Sequence, residues 1–299
     1  MALSVRNPIL RRGLGLAPAV GVIGFFMIVP LFFMAFISLL ERNRYGGVVW
    51  DSFTAQAYVN VFFEEALDGS MGFNTAYIEI FLRSFSLSVT TTLIALAVGF
   101  PTALYMALQP ERYRNFLIFL VTIPFWTNLL VRNYAWILLL RDTGLINHGL
   151  QEIGLVQEPI TMLYTDFSVA VGLTYSFLPF MVLPIYGSLE KIDFRLVEAA
   201  YDLYATRWKV LRRVLIPLSL PGIIAGSILV LIPCLGAYIT PVLLGGSKSL
   251  LIGNLIQMQF GASRNWPFGA ALAFLLLALV LLTMMIYLMR GRPPAEQTS

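Results

Sequence analysis

Residues 188–220 read SLEKIDFRLVEAAYDLYATRWKVLRRVLIPLSL, a charged and patterned stretch set between two long apolar runs. The pattern predicts two short helices at an angle. Asp193 can cap the first, whose Leu196, Ala200, Leu203 and Tyr204 fall on one helical stripe. Thr206 can cap the second, where Trp208, Leu211 and Leu215 line one side and Lys209, Arg212 and Arg213 another. An amphipathic helix pair that is not itself a span must put its apolar stripe somewhere. Either the membrane surface takes it, or a groove on another protein does.

Outward from this stretch the chain is built for lipid. Of its 299 residues 58% are hydrophobic and only 12% charged, and the mean hydropathy is +0.79. A soluble domain carries about 45–50% apolar and about 25% charged residues. One cysteine, Cys234, leaves no internal disulfide, and the single histidine, His148, excludes a His-rich metal site. The expectation is an all-α polytopic membrane protein.

Six apolar runs are long enough to cross: Leu14–Leu40, Phe85–Leu108, Phe116–Leu140, Ser168–Gly187, Pro221–Leu244 and Phe268–Met289. The first follows Arg6, Arg11 and Arg12 but is far longer than a signal core, so it reads as a retained span. Placing both termini in the cytoplasm puts 13 of the 20 basic residues there: Arg6, Arg11, Arg12, Arg112, Arg114, Lys191, Arg195, Arg207, Lys209, Arg212, Arg213, Arg290 and Arg292. The positive-inside rule selects this orientation over its inverse. Arg42, Arg44, Arg83, Arg141, Lys248 and Arg264 then lie outside, and Arg132 falls within a span. The expected organisation is a cytoplasmic N-terminus (1–13), a first span (14–40), an extracytoplasmic segment (41–82), a core of five helices (83–289) containing segment 188–220, and a cytoplasmic tail (290–299). Segment Glu41–Leu82 is long and polar enough for a small docking element, and Leu145–Leu155 has the pattern of a short amphipathic helix.

Within the opening stretch, Glu198-Ala199-Ala200, then Tyr204, then Val214-Leu215-Ile216-Pro217 resemble the EAA motif of ABC-importer permeases, which reads E-A-A, three residues, G, nine residues, I-x-L-P. Asp202 matches the acid that the family often carries inside the motif. The motif's glycine is Tyr204 here. In a left-handed conformation a tyrosine costs of order 1 kcal/mol; otherwise the turn is made differently. Two further stretches are similar to the spermidine/putrescine branch of the family: residues 124–136, PFWTNLLVRNYAW, and the pair LLIGN (250–254) and NWPFGAA (265–271).

The resemblance implies a type I ABC importer permease fold with six transmembrane helices in the inner membrane of a bacterium, and a function of passing polyamines. It also implies a non-catalytic chain. Gly245-Gly246-Ser247-Lys248-Ser249 lacks the spacing of a phosphate loop, so ATP and magnesium would belong to a partner and this chain would bind no cofactor. The implied partners are a second, homologous permease subunit, two copies of a cytoplasmic ATPase, an extracytoplasmic solute-binding protein and membrane lipid, with no nucleic acid. Glu198, Ala199, Ala200, Asp202, Tyr204 and Arg207 would couple to the ATPase.

The path itself is read from the residues. None of the six runs contains Asp or Glu, so a fixed intramembrane carboxylate is not the means of holding a cation. Aromatic contacts worth about 0.5–2 kcal/mol each are an alternative. The candidates are Trp126, Tyr134, Trp136, Tyr175, Phe177 and Tyr238. Asn128, Arg132 and Trp136 are spaced four apart and would share one face of a continuous third helix. Arg132, which costs about 2.5–3.5 kcal/mol near a helix centre, would repel a polyamine and suits a structural or gating part. Pro233 with Gly236, and Pro241 with Gly245-Gly246, would loosen the fifth span toward its outer end. The same machinery could serve another amine, an amino acid or an opine; a self-sufficient secondary transporter lacks the expected intramembrane acids.

Overall fold

The computed structural model describes residues 8–65, 71–246 and 250–290. Arg6, Lys248, Arg292, the run Ser247-Lys248-Ser249 and the tail beyond Arg290 lie outside the described residues. Among the described residues five helices are long and apolar enough to cross a membrane, and the bent pair Glu111–Trp126 with Leu129–Glu152 brings the number to six when taken as one span. The chain divides into two compact units, Ala76–Leu255 and the remainder on either side of it.

The flanking unit holds helix α1 (Pro8–Ser38), strands β1 (Leu40–Arg42) and β2 (Val48–Phe53), helix α2 (Gln56–Phe62), and strands β3 (Phe63–Glu65) and β4 (Met71–Phe73). The segment expected to form a docking element is thus two antiparallel hairpins around one short helix. Leu40, wholly buried, pairs with Phe53, and a register shift follows it. Phe53 meets the Phe36 ring edge-on at 5.5 Å. Two bonds tie the first hairpin to the turn before the last helix: Arg42 Nη2 donates to the Ser263 carbonyl, and the Gly47 N–H to that of Arg264, both at 3.0 Å.

The larger unit holds α3 (Ala76–Ala107), α4 (Glu111–Trp126), α5 (Leu129–Leu140), α6 (Leu145–Glu152), α7 (Asp166–Leu189), α8 (Arg195–Asp202), α9 (Arg207–Val210), a π turn (Leu211–Leu215), α10 (Ile216–Gly236) and α11 (Ile239–Gly245). Helix α12 (Ile252–Phe260) leads out of it, and α13 (Trp266–Arg290) closes the chain beside α1 and α2. Helix α7 is central, packed along α3 and α10 and touching α4, α5 and α11. In hydrocarbon there is no hydrophobic drive between helices, so close backbone approach does the work. A Cβ on Gly222 would sit 2.4 Å from the Pro184 carbonyl oxygen, and one on Gly226 3.0 Å from that of Met181. The Gly222/Gly226 pair therefore serves close α7–α10 packing. The α3 stripe Ala95, Gly99, Ala103 faces the same core, with Gly99 against Met181 and Val182. Arg83 bonds Asp166 at 2.7 Å near the first turns of α3 and α7. At the other end Arg114 lies 3.6 Å from Glu190.

Two spans depart from the expected continuous helices. The third, expected as one helix over Phe116–Leu140, breaks at Thr127 and Asn128, both extended (ψ 148° and 135°), and bends by 90°. The cause is local. Asn128 caps α5, its side-chain oxygen accepting the Leu130 N–H at 2.8 Å, and an N-cap residue must leave helical geometry. The fifth, expected over Pro221–Leu244, ends its long helix at Gly236 and resumes as α11 after an extended Ala237. Pro241 has no N–H to offer the Ala237 carbonyl, and Gly253 fills the notch: a Cβ there would be 2.4 Å from that oxygen. The expected loosening by proline and glycine is present as a break. Helix α3 also begins earlier than expected, taking in Glu79 and Arg83.

Candidate functional site: a left-handed corner and an aromatic cavity

Two places carry the candidate residues. The first is the corner between α8 and α9. The Asp193 carboxylate accepts the Arg195 N–H at 3.0 Å, and Thr206 caps α9 by accepting from Lys209 N–H at 3.4 Å. Thr206 is the cap the sequence predicts, whereas Asp193 stands one residue ahead of the residue that opens α8, Phe194. Between them the helix ends in a complete Schellman arrangement. Ala205 N–H donates to the Ala200 carbonyl at 3.0 Å and Tyr204 N–H to that of Tyr201 at 2.9 Å. The residue at the left-handed position is Tyr204, φ 57°. The turn is therefore the one a glycine would make, taken by a tyrosine at a cost of about 1–2 kcal/mol.

That cost gains no burial among the described residues. The Tyr204 ring is 94% exposed and Leu203 81%. Leu196 and Tyr201 are exposed too, as are Glu198 and Asp202, while Ala200 is half-buried and Ala199 and Arg207 are exposed. Glu198, Asp202 and Arg207 have no ion-pair partner among the described residues. The corner is an apolar surface edged with free charges.

The second helix departs from expectation. Trp208 was expected beside Leu211 and Leu215, but Trp208 is 66% exposed while Leu215 is buried together with Val210. The π turn explains this: Ile216 N–H reaches back five residues to the Leu211 carbonyl. One residue is added to the turn, so side chains five apart, Val210 and Leu215, share the inner face. Trp208 instead joins Lys209, Arg212 and Arg213 around a surface hollow.

The second place is a cavity of about 320 Å³ where the two broken spans meet α7. Phe125, Leu129 and Arg132 border it from the α4–α5 break; Leu173, Ser176, Phe177 and Phe180 from α7; and Pro233 with the run from Gly236 to Thr240 from the α10–α11 break. Phe125 and Phe180 stand edge to face at 5.4 Å, and Phe177 is 6.3 Å from Phe180. The wall is overwhelmingly apolar, with one fixed cation. Arg132 Nε and Nη1 are buried with no hydrogen-bond partner among the described residues.

Of the path candidates, Arg132, Phe177 and Tyr238 line this cavity. Trp136 and Tyr175 pair edge to face at 5.6 Å and border it nowhere. Trp126 and Tyr134 are exposed. Of the expected three-residue face, Arg132 and Trp136 stay four apart on α5, while Asn128 is its cap rather than a residue within a continuous third helix. Sequence reasoning passed over Phe125 and Phe180. The signal for Phe180 was its place one turn after Phe177; Phe125 joins only because the helix breaks just beyond it.

The sequence profile of the family described as "Binding-protein-dependent transport system inner membrane component" matches residues 96–291. The chain is 40% identical over 263 residues to the spermidine/putrescine transport system permease protein PotB of Haemophilus influenzae, covering 88% of each. It is 43% identical over 211 residues to PotB of Escherichia coli K12, covering 71% of this chain and 77% of that one. Among solved structures, a chain from a bacterial alginate ABC transporter in complex with alginate pentasaccharide-bound periplasmic protein superposes with a TM-score of 0.68. That likeness covers 93% of both chains at 17% identity, and so speaks for the fold.

Proposed function

Because the chain belongs to the family of inner membrane components of binding-protein-dependent transport systems, we propose that it is the permease subunit of a polyamine importer, passing spermidine and putrescine. It is a multi-pass subunit of the inner membrane with a part in transport. In this reading both termini are cytoplasmic, as the basic residues require. An outer binding protein delivers solute, a second, homologous permease subunit completes the path, and two copies of a partner ATPase hold ATP and magnesium. This chain binds no cofactor.

The observation that carries the reading is the α8–α9 corner. A helix pair that holds a tyrosine left-handed and leaves its ring in solvent gains nothing from it alone. Seated in a groove, the ring, Leu203 and the free carboxylates of Glu198 and Asp202 would all be used. Ala199 and Ala200 keep the α8 surface low, and Arg207 adds a cation at its edge. Movement of the ATPase would then be passed to α10 through α9. The substrate class rests on the relatives and on the cavity, whose rings can hold an alkylammonium weakly enough to release it. Phe177 and Tyr238 would touch the solute, and Arg132 would set the state of the gate. Trp126, Asn128, Tyr134, Trp136 and Tyr175 would act on the path outside this cavity.

One observation favours a second reading. An unpaired guanidinium facing a small apolar cavity suits a solute bearing a carboxylate as well as an amine, such as an amino acid or opine. Uptake of labelled spermidine into vesicles containing the transporter, competed by putrescine, amino acids and opines, separates the two. The polyamine reading expects putrescine to compete and carboxylated amines to fail; the reverse pattern overturns it. Co-purification from the native membrane should bring a phosphate-loop ATPase and a second permease. Recovery of the chain alone, transporting without ATP, would overturn the importer.

A further inference from the structure

The hollow around Trp208, Lys209, Arg212 and Arg213 has a volume of about 320 Å³ and no other lining residue. All four side chains are exposed. None of the three cations has an ion-pair partner among the described residues, where the ion pairs join other groups. Three like charges gathered within five positions repel one another, and an anion placed among them turns that repulsion into attraction.

We propose that this hollow binds the phosphate of an anionic phospholipid headgroup. The level in the membrane identifies the source. Arg213 is the last charged residue before α10 runs apolar to Gly236, and Pro217 stands only about 6 Å further along the helix axis. The cations therefore sit where chain passes from water into hydrocarbon, the plane of the lipid phosphates. Tryptophan is enriched at that same plane. Just beyond, Leu218 and Leu220 are exposed and offer apolar surface to acyl chains. Two guanidinium groups match phosphate oxygens by paired hydrogen bonds, and basic residues flanking a span attract anionic lipid. The ATPase-facing residues of the proposed function precede the hollow: Glu198, Asp202 and Tyr204 lie on α8 and its turn, on the water side of α9.

Native mass spectrometry of the transporter purified with its partner subunits tests this. The complex is incubated with phosphatidylglycerol or phosphatidylcholine in detergent, and bound lipid is counted per permease. The wild type is expected to prefer phosphatidylglycerol by about tenfold or more. The triple variant Lys209→Gln, Arg212→Gln, Arg213→Gln should lose the preference, and Arg212→Lys with Arg213→Lys should keep most of it. Equal retention of the two lipids by the wild type overturns the proposal without any variant having to fold. Displacement of the lipid by excess inorganic phosphate would make the hollow a free-phosphate site and overturn the lipid assignment. Lipid held by the full chain alone but expelled when the ATPase is added would make it an ATPase contact, with the same consequence.

Discussion

The α8–α9 corner and the cavity at the broken spans are both interruptions of helix, and they are settled in opposite ways. At the corner interrupted backbone groups find partners within the chain: Asp193 accepts the Arg195 N–H, Thr206 caps α9, and the Schellman bonds close the end of α8. What is left over is apolar surface, turned outward at Leu203 and Tyr204. In the cavity the apolar surface turns inward and the polar groups are left over. Arg132 keeps two nitrogens unpaired among the described residues, and the Ala237 carbonyl faces Gly253 rather than an N–H four residues on. Water can satisfy a loose end at the corner, but hydrocarbon cannot satisfy one at the breaks. The corner is thus a finished piece awaiting a surface, and the cavity an unfinished piece awaiting a solute or a second conformation.

The comparison breaks first at Glu198. If the corner docks, Glu198→Arg should reduce ATP-dependent uptake by tenfold or more, since removing a charge from a buried pair at an interface costs about 2–5 kcal/mol. Membrane insertion should be unchanged, because Glu198 holds no ion pair among the described residues. Uptake at the wild-type rate would mean that nothing seats on the corner. The cavity gives the contrary sign. Arg132→Met removes an unpaired cation that costs about 2.5–3.5 kcal/mol near a helix centre, so the purified protein should melt higher in detergent while transport falls. A lower melting temperature would mean that Arg132 finds a partner in the assembled transporter, and the cavity would be finished after all.

The two regions were also unequally legible. Caps, motif spacing and the identity of the left-handed position are local properties, and at the corner Asp193, Thr206 and Tyr204 all announce themselves. The π turn does not, because its shift of Val210 and Leu215 onto one face depends on what α10 packs against. In the third span an unbroken apolar run masked Asn128, a good cap in polar company and an ordinary residue in a hydropathy window. Once that break was missed, Phe125 had no reason to meet Phe180, and Asn128 stood inside a continuous helix rather than at the cap of the one that carries Arg132 and Trp136. The proline and glycine signals at Pro233, Gly236 and Pro241 were readable because those residues act on their own backbone. In the flanking unit the hairpins of Glu41–Leu82 were legible only as polar chain, since Leu40 and Phe53 become a pair through the fold.

Helix packing behind the cavity sharpens the contrast at a smaller scale. Gly222→Val should destabilise the protein by about 1–3 kcal/mol, because its Cβ would stand 2.4 Å from the Pro184 carbonyl oxygen. Gly187→Ala, where nothing lies within 4 Å, should be neutral or stabilising by about 0.5–1 kcal/mol. Thermal unfolding of the two variants in detergent tests whether α7 and α10 are held by backbone approach; equal effects would exclude it.

The smallest effect tests the corner most closely. Tyr204→Gly keeps both Schellman bonds, since they are made by backbone groups at 200, 201, 204 and 205, and relieves about 1–2 kcal/mol of left-handed strain. The isolated chain should therefore become slightly more stable, by a few degrees or less in melting temperature. The same change removes a ring that is 94% exposed and so contributes nothing to the chain on its own. If the ring is kept for a groove on the ATPase, affinity for that subunit and coupled uptake should fall as stability rises. Should stability and uptake rise together, the tyrosine is an unused substitution at a position where glycine does better. Should stability fall, the ring has a contact in the membrane, and the corner is turned toward lipid rather than toward a partner.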